Sequence, residues 1–182
     1  MLFRSISIGE AAAFALLERA PAQARPDDVL LRGVGETSDA HHMSSPHPDG
    51  LGARLAMEQA LAMAGIGAAD IGYLNLHGTA TQSNDAAEAK AVAALFGAGV
   101  PCSSTKGATG HTLGAAGGLE AVVCALALQH GLLPGGINTR EPDPALPIHY
   151  LMDNQEAAPR YVLSNSFGFG GTNCSLVFGR AG

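Results

Sequence analysis

The chain has 182 residues, 47% of them apolar and only 14% charged, with a net charge of −6. That length supports one domain with a real core. A charge fraction well below the usual ~25% means much of the surface is covered, by the chain's own fold or by another chain. The acidic balance argues against nucleic acid, which selects basic faces, and no apolar run reaches the ~18 residues of a membrane helix. Met1-Leu2-Phe3-Arg4-Ser5 is too short for a signal peptide. Three cysteines without paired spacing suit a reducing cytoplasm and give no Cys-x-x-Cys zinc site.

Residues 6–18 are apolar and fit a strand or a helix equally. Prolines at 21 and 26 end that run, and 29–34 reads as a strand. A polar loop follows over 36–48. Its three histidines, His41, His42 and His47, lack helical spacing and sit among prolines, so a plain loop is favoured over a metal tract. Residues 51–64 have helical periodicity, closed by Gly65. Residues 70–76 form a buried strand that ends at His77-Gly78-Thr79-Ala80-Thr81. A histidine and two hydroxyls at a strand's carboxyl end fit a binding site, or a satisfied histidine beside a turn. Residues 84–96 read as a helix with Asn84 or Asp85 as N-cap. Glu88 then falls where a capping box needs it.

The run 97–102 feeds a strand, and 103–120 contains Ser104-Thr105-Lys106-Gly107-Ala108-Thr109-Gly110-His111 before an apolar helix over 113–129. A lysine, a histidine and several glycines thus share one strand-to-helix turn, where α/β sheets bind ligands. Gly114, Gly117 and Gly118 are poor helix formers, so that helix start is expected to pack closely against something. Residues 132–147 are a proline-rich connection. A strand over 161–167, the glycine loop Gly168-Phe169-Gly170-Gly171-Thr172 and a strand over 173–178 follow. That loop does not complete G-x-G-x-x-G and no helix follows it, so nucleotide binding is rejected. It reads as a hairpin whose glycines let Phe169 face a cavity.

Three motifs stand in order: His77-Gly-Thr-Ala-Thr81, Ser104-Thr-Lys-Gly-Ala-Thr-Gly-His111 and Asn165-Ser-Phe-Gly-Phe-Gly-Gly-Thr-Asn173. With the loop Ser38-Asp39-Ala40-His41-His42-Met43-Ser44-Ser45-Pro46, they resemble the carboxyl-terminal half of β-ketoacyl-acyl-carrier-protein synthases of the type II elongating form. The resemblance covers nearly the whole chain, 1–182. It implies an α/β, thiolase-like layered fold, a mixed sheet covered by helices, with the helix from Leu113 buried at the centre. It implies an acyltransferase. A cysteine takes an acyl group, malonyl-carrier protein loses its carboxylate, and the carbanion attacks the thioester. No dissociable cofactor and no metal are implied, since the substrates ride on the phosphopantetheine of acyl carrier protein.

By the same resemblance, His77 and His111 are the catalytic histidines that donate to the enolate oxygen. Lys106 holds the site's electrostatics, paired with Glu120. Thr79 and Thr81 bond the phosphopantetheine arm, and Phe167 lines the pocket. Gly168, Phe169, Gly170 and Gly171 form the gate, with Asp39 and Ser44 in a second loop facing it. Asp85 and Glu88 match acidic positions of the family, as second-sphere or structural groups. The family's nucleophilic cysteine has no counterpart at Cys102, Cys124 or Cys174, and Gly9-Glu10-Ala11-Ala12 resembles a mid-chain segment of the family. The expectation is a chain that represents the carboxyl half, or a gene model begun late, and is inactive alone. Its expected partners are the amino-terminal half, acyl carrier protein and a second subunit, as a homodimer or heterodimer. A non-catalytic chain-length-factor-like subunit and a thiolase are the rivals. Retention of His77, Lys106 and His111 speaks against the first. The absence of a cysteine in the Gly168–Thr172 loop speaks against the second.

Overall fold

The structure is a computed structural model and describes residues 6–181. The start read above as too short for a signal peptide lies outside them. β1 (Val29–Ser38) is followed by α1 (Leu51–Ala64), β2 (Ile71–Asn75), α2 (Gln82–Phe96), β3 (Pro101–Ser103), α3 (Lys106–Thr109) and α4 (Ala116–His130). The short strands β4 (Leu132–Leu133), β5 (His149–Tyr150) and β6 (Gln155–Glu156) precede β7 (Tyr161–Gly168) and β8 (Thr172–Arg180). Six strands form one mixed sheet in the order β1-β8-β7-β2-β3-β5, and β4 pairs with β6. β2, β3, β5 and β7 run parallel, whereas β8 runs antiparallel to both β7 and β1.

Side chains along a strand point to alternate faces. Tyr73 on β2 and Val162 on β7 therefore turn to one face, where Cys124 and Leu128 of α4 cover them. Their neighbours Leu74 and Leu163 turn to the other, against Met57 and Ala60 of α1 and Val92 of α2. A strand covered on both faces must be apolar almost throughout, which explains the unbroken runs seen in the sequence. Fully buried side chains of this size each contribute about 1.5–3 kcal/mol. The helix α1 lies very close on β1. A Cβ on Gly33 or Gly35 would collide with the carbonyl oxygens of Ala60 and Ala56, so only glycine fits there.

Several sequence expectations need correcting. Residues 6–18 form neither helix nor strand; the segment has no regular structure and makes a single bridge, Ile8 to His111. β1 continues through Glu36 and Thr37 to Ser38, because β8 is long enough to pair with all of it. α2 begins at Gln82 behind Thr81, so neither Asn84 nor Asp85 is its N-cap. The helix expected from Leu113 is a tight 3-10 turn over Leu113–Ala115 followed by α4. Gly117 lies against Ser166 and Gly118 against Ala13, but Gly114 faces open space.

That helical stretch, Leu113–His130, is 18 residues long and apolar enough to cross a membrane by length and composition, contrary to the sequence reading. Here it packs along β7 and carries the buried carboxylate Glu120. Only one stripe of it is buried, and Val122 and Leu126 are exposed. The exposed apolar positions agree with the low charge fraction: much of what the sequence would cover is uncovered in this chain alone.

Candidate active site

β2, β3 and β7 are parallel, so their carboxyl ends open on one side of the sheet, where α/β proteins bind ligands. His77 follows β2, Lys106 opens α3 just after β3, and Phe167 stands near the end of β7. His111 follows α3. Its backbone is clamped by the irregular segment that precedes β1: its N–H donates to the Ser7 carbonyl at 2.7 Å and its carbonyl accepts from Gly9 N–H at 3.1 Å. The structure thus brings His77, His111, Lys106, Glu120 and Phe167 together. The His77 ring stands edge-on to His111, centroids 5.2 Å apart, and 5.6 Å from the Phe167 ring.

The protonation of the two imidazoles follows from their neighbours. The Lys106 ammonium lies 3.5 Å from His77 Nδ1 and also donates to the His77 carbonyl and to Glu120 Oε1. An ammonium cannot accept, so Nδ1 of His77 is the acceptor and Nε2 carries the proton. Leu113 N–H donates to His111 Nδ1 at 3.2 Å, which fixes the same tautomer in His111. Burial holds His77 well below the usual histidine range, helped by the Lys106 and His111 charges. Burial and then Lys106 lower His111. Both rings are therefore neutral at pH 7, each with one N–H to give. Burial pushes the Glu120 carboxyl up to about 7, against the pull of the Lys106 ammonium.

Glu88 does not form a capping box. It is buried on the seventh position of α2 and accepts the backbone N–H groups of His77 and Gly78, both at 2.8 Å. Asn165 Nδ2 donates to the same carboxylate at 3.2 Å, and Ser175 Oγ donates to Asn165 Oδ1 at 2.8 Å. A buried chain from β8 through β7 to α2 thus holds the turn that carries His77. Gly78 has φ 42 and lies against Ser104, a position that an L side chain would strain.

A cavity of about 500 Å³ opens beside the histidines. His77, His111, Thr79, Thr81, Phe167, Gly168, Phe169, Asp39 and Ser44 all line it, as does Asn84. Gly170 and Gly171 stand behind the rim and link the two loops. Gly170 N–H donates to the Met43 carbonyl and Asp39 N–H to the Gly171 carbonyl, each at 2.8 Å. Asn173 Nδ2 donates to Asp39 Oδ1 at 2.8 Å. Phe169 is 83% exposed at the cavity's mouth, so its ring is held by little. Among the described residues, the four non-glycine positions with positive φ are Ala40, Ala80, Leu113 and Asn138. Ala40 adjoins Asp39, Leu113 lines the cavity, and Ala80 and Asn138 line a smaller cleft of about 170 Å³ beside Lys106. Such strain gathers where a structure positions groups for work.

None of the three cysteines sits in this site as a reactive thiol. Burial pushes Cys102 and Cys124 up to about 12 and raises Cys174 less. Cys102, the one candidate close in sequence to Lys106, is fully buried with its thiol turned to the His149 carbonyl. Among the described residues no three His, Cys, Asp or Glu side chains gather as a metal site. The His41 and His47 rings are tilted to each other, centroids 5.1 Å apart, with no third ligand beside them.

Residues 29–140 match the family described as beta-ketoacyl synthase, C-terminal domain. The chain belongs to this β-ketoacyl synthase family. A mitochondrial 3-oxoacyl-[acyl-carrier-protein] synthase from Arabidopsis thaliana is 45% identical over 155 residues, 81% of this chain and 34% of its own length. A 3-oxoacyl-[acyl-carrier-protein] synthase 2 from Staphylococcus aureus is 40% identical over 178 residues, 94% of this chain and 44% of its own. A solved ketosynthase in complex with its chain length factor from Xenorhabdus doucetiae matches with a TM-score of 0.82 at 51% identity, over 87% of this chain and 40% of that one. The fold is therefore thiolase-like, as the motifs implied. The chain spans less than half the length of the curated relatives it matches.

Sequence reasoning left the work of Asn165 and Asn173 unassigned and gave Glu88 a capping-box or second-sphere role without naming its partners. A signal for Glu88 existed: it stands among Ala87, Ala89, Ala91 and Val92, all buried. A lone acid on an apolar stretch of helix has to meet donors inside the protein. Asn138 carried no such signal, because its contact with the Gly107 carbonyl joins positions 31 residues apart.

Proposed function

We propose that this chain supplies the enolate-stabilising and gating half of a decarboxylating condensing enzyme. The reading rests on one observation: two neutral imidazoles, each with Nδ1 engaged by a fixed donor, line one cavity with Nε2–H free. In the reaction, the bond between the malonyl carboxylate and the α-carbon breaks and carbon dioxide leaves. The electron pair moves into the thioester as an enolate, whose oxygen takes the two imidazole N–H groups. The α-carbon then attacks an acyl thioester, and the thiolate that carried the acyl group departs. Lys106 and Glu120 set the tautomer and the field around His77. Thr79 and Thr81 hydrogen-bond the phosphopantetheine arm of acyl carrier protein. Phe169 is the gate, and Asp39, Ser44, Gly168, Gly170 and Gly171 make up the paired loops that carry it.

The acylated thiolate must come from elsewhere, since Cys102 and Cys124 are buried and held protonated and Cys174 lies on β8 outside the cavity lining. An amino-terminal half, docked on the exposed apolar positions of α4, is its source in this reading. The two free N–H donors and the buried Lys106 favour the enzyme over a non-catalytic partner subunit, which needs neither. The test is malonyl-carrier-protein decarboxylation by the enzyme completed with its nucleophile-bearing half. His77→Ala and His111→Ala should each lower the rate by roughly 10²–10³-fold, with acyl transfer to the cysteine surviving better. Decarboxylation at the parent rate in both variants sinks the reading.

A further inference from the structure

One polar group on the cavity wall has no task in the reading above. Asn84 stands three residues after Thr81, on the first turn of α2, so the two share one face of the helix. Both line the cavity. The Asn84 amide is held in one orientation. Its Nδ2 donates to Asp85 Oδ1 at 3.2 Å and to Glu88 Oε2 at 3.5 Å. Two carboxylates require the amide nitrogen on their side, which turns the amide oxygen the other way. That oxygen has no donor among the described residues. Unlike the sealed amide atoms of Asn75, it is not closed off from the cavity.

The threonines complement it. Thr79 Oγ1 and Thr81 Oγ1 lie 2.8 Å apart, so one hydroxyl donates to the other. The pair keeps one O–H to give away. The cavity wall therefore offers one hydroxyl donor and, one helical turn on, one fixed amide acceptor. A secondary amide presents the matching pair, a carbonyl and an N–H.

We propose that Asn84 Oδ1 accepts an amide N–H of the pantetheine arm while the threonine pair donates to an amide carbonyl of that arm, which makes Asn84 a specificity-determining residue for amide-bearing thiol carriers. This rests on reading the cavity as the arm's channel. The test is an NMR titration of the 182-residue chain with pantetheine and with two analogues, each having one of its amides replaced by an ester. An ester keeps the carbonyl and loses the N–H. One analogue should bind about tenfold more weakly than pantetheine to the parent chain, the cost of leaving a cavity-lining acceptor unmatched. The Asn84 side-chain amide signals should shift with pantetheine and not with that analogue. In Asn84→Ala the difference between pantetheine and the analogue should vanish. The comparison on the parent chain does not depend on how the variant folds. Equal binding of pantetheine and both analogues to the parent chain overturns the role of Asn84 and leaves the channel reading standing. A preference that persists undiminished in folded Asn84→Ala does the same. No binding of pantetheine at all overturns the channel reading, and the inference with it.

Discussion

Replacing Lys106 by methionine tests the electrostatics beneath the two histidines. Lys106 and Glu120 are both nearly sealed from water, with side chains 7% and 3% exposed. Burial is the largest influence on Glu120 and lifts it from an ordinary 4.5 to about 7, while the Lys106 ammonium pulls it down. Because the folded value lies above the unfolded one, the stability linked to Glu120 is fully present below about 4.5. It is lost as the pH rises through about 7. Each pH unit in that window costs about 1.4 kcal/mol. In the parent chain the loss stops near pH 7, where the folded protein also ionises. Lys106→Met removes the ammonium that favours ionisation, so the folded value climbs and the loss continues above pH 7. At pH 6.5 the Glu120 carboxyl is mostly neutral in both proteins, and exchanging a buried ammonium for an apolar side chain of similar length should cost little. At pH 8.5 the gap should have widened by about 2 kcal/mol, from 1.5 pH units beyond 7 at the same rate. Urea denaturation at pH 6.5, 7.5 and 8.5 measures it. Adding Glu120→Gln to the Lys106→Met chain should flatten the pH dependence. A gap between parent and Lys106→Met that stays constant from pH 6.5 to 8.5 would refute the account of the pair.

Glu88→Gln exchanges a carboxylate that accepts two backbone N–H groups for an amide with one acceptor oxygen. It should lower stability by about 1–3 kcal/mol and shift the amide signals of His77 and Gly78 in NMR spectra; unchanged signals would sever Glu88 from the turn. Phe169→Ala removes an 83% exposed ring, so the urea midpoint should hold within error while acylation rates in the completed enzyme change with chain length. Acylation rates unaltered at every length would rule out a gate. Incubated with acyl-carrier protein and weighed by intact-protein mass spectrometry, the chain alone should carry no acyl adduct, because burial raises all three of its thiols. A stable adduct with turnover on adding malonyl-carrier protein would overturn the assignment of the nucleophile to another segment.

What the sequence revealed about this chain divides along a physical line. Residues that stand where the backbone turns, such as His77, Lys106, His111 and Phe169, were legible because strand ends and glycines mark those turns locally. Alternating burial along β2 and β7 was legible as unbroken apolar runs, since both faces are covered. The errors arose where a local rule competed with a distant partner. Glu88 obeyed the spacing of a capping box, yet its carboxylate satisfies the backbone 10 and 11 residues earlier and an amide 77 residues later. The loop after β1, read as a plain loop despite its three histidines, is tied by Asp39 to His47 and Asn173. Residues 6–18 were ambiguous because an irregular segment that pairs at one residue carries no period at all. That single pairing clamps His111 from both sides of its peptide backbone. A segment with no regular structure of its own therefore fixes one of the two imidazoles, while the buried Glu88 chain fixes the other. The two donors of the site are positioned by independent supports. Loosening the Ser7–Gly9 clamp should displace His111 and leave the His77 amide signal in place.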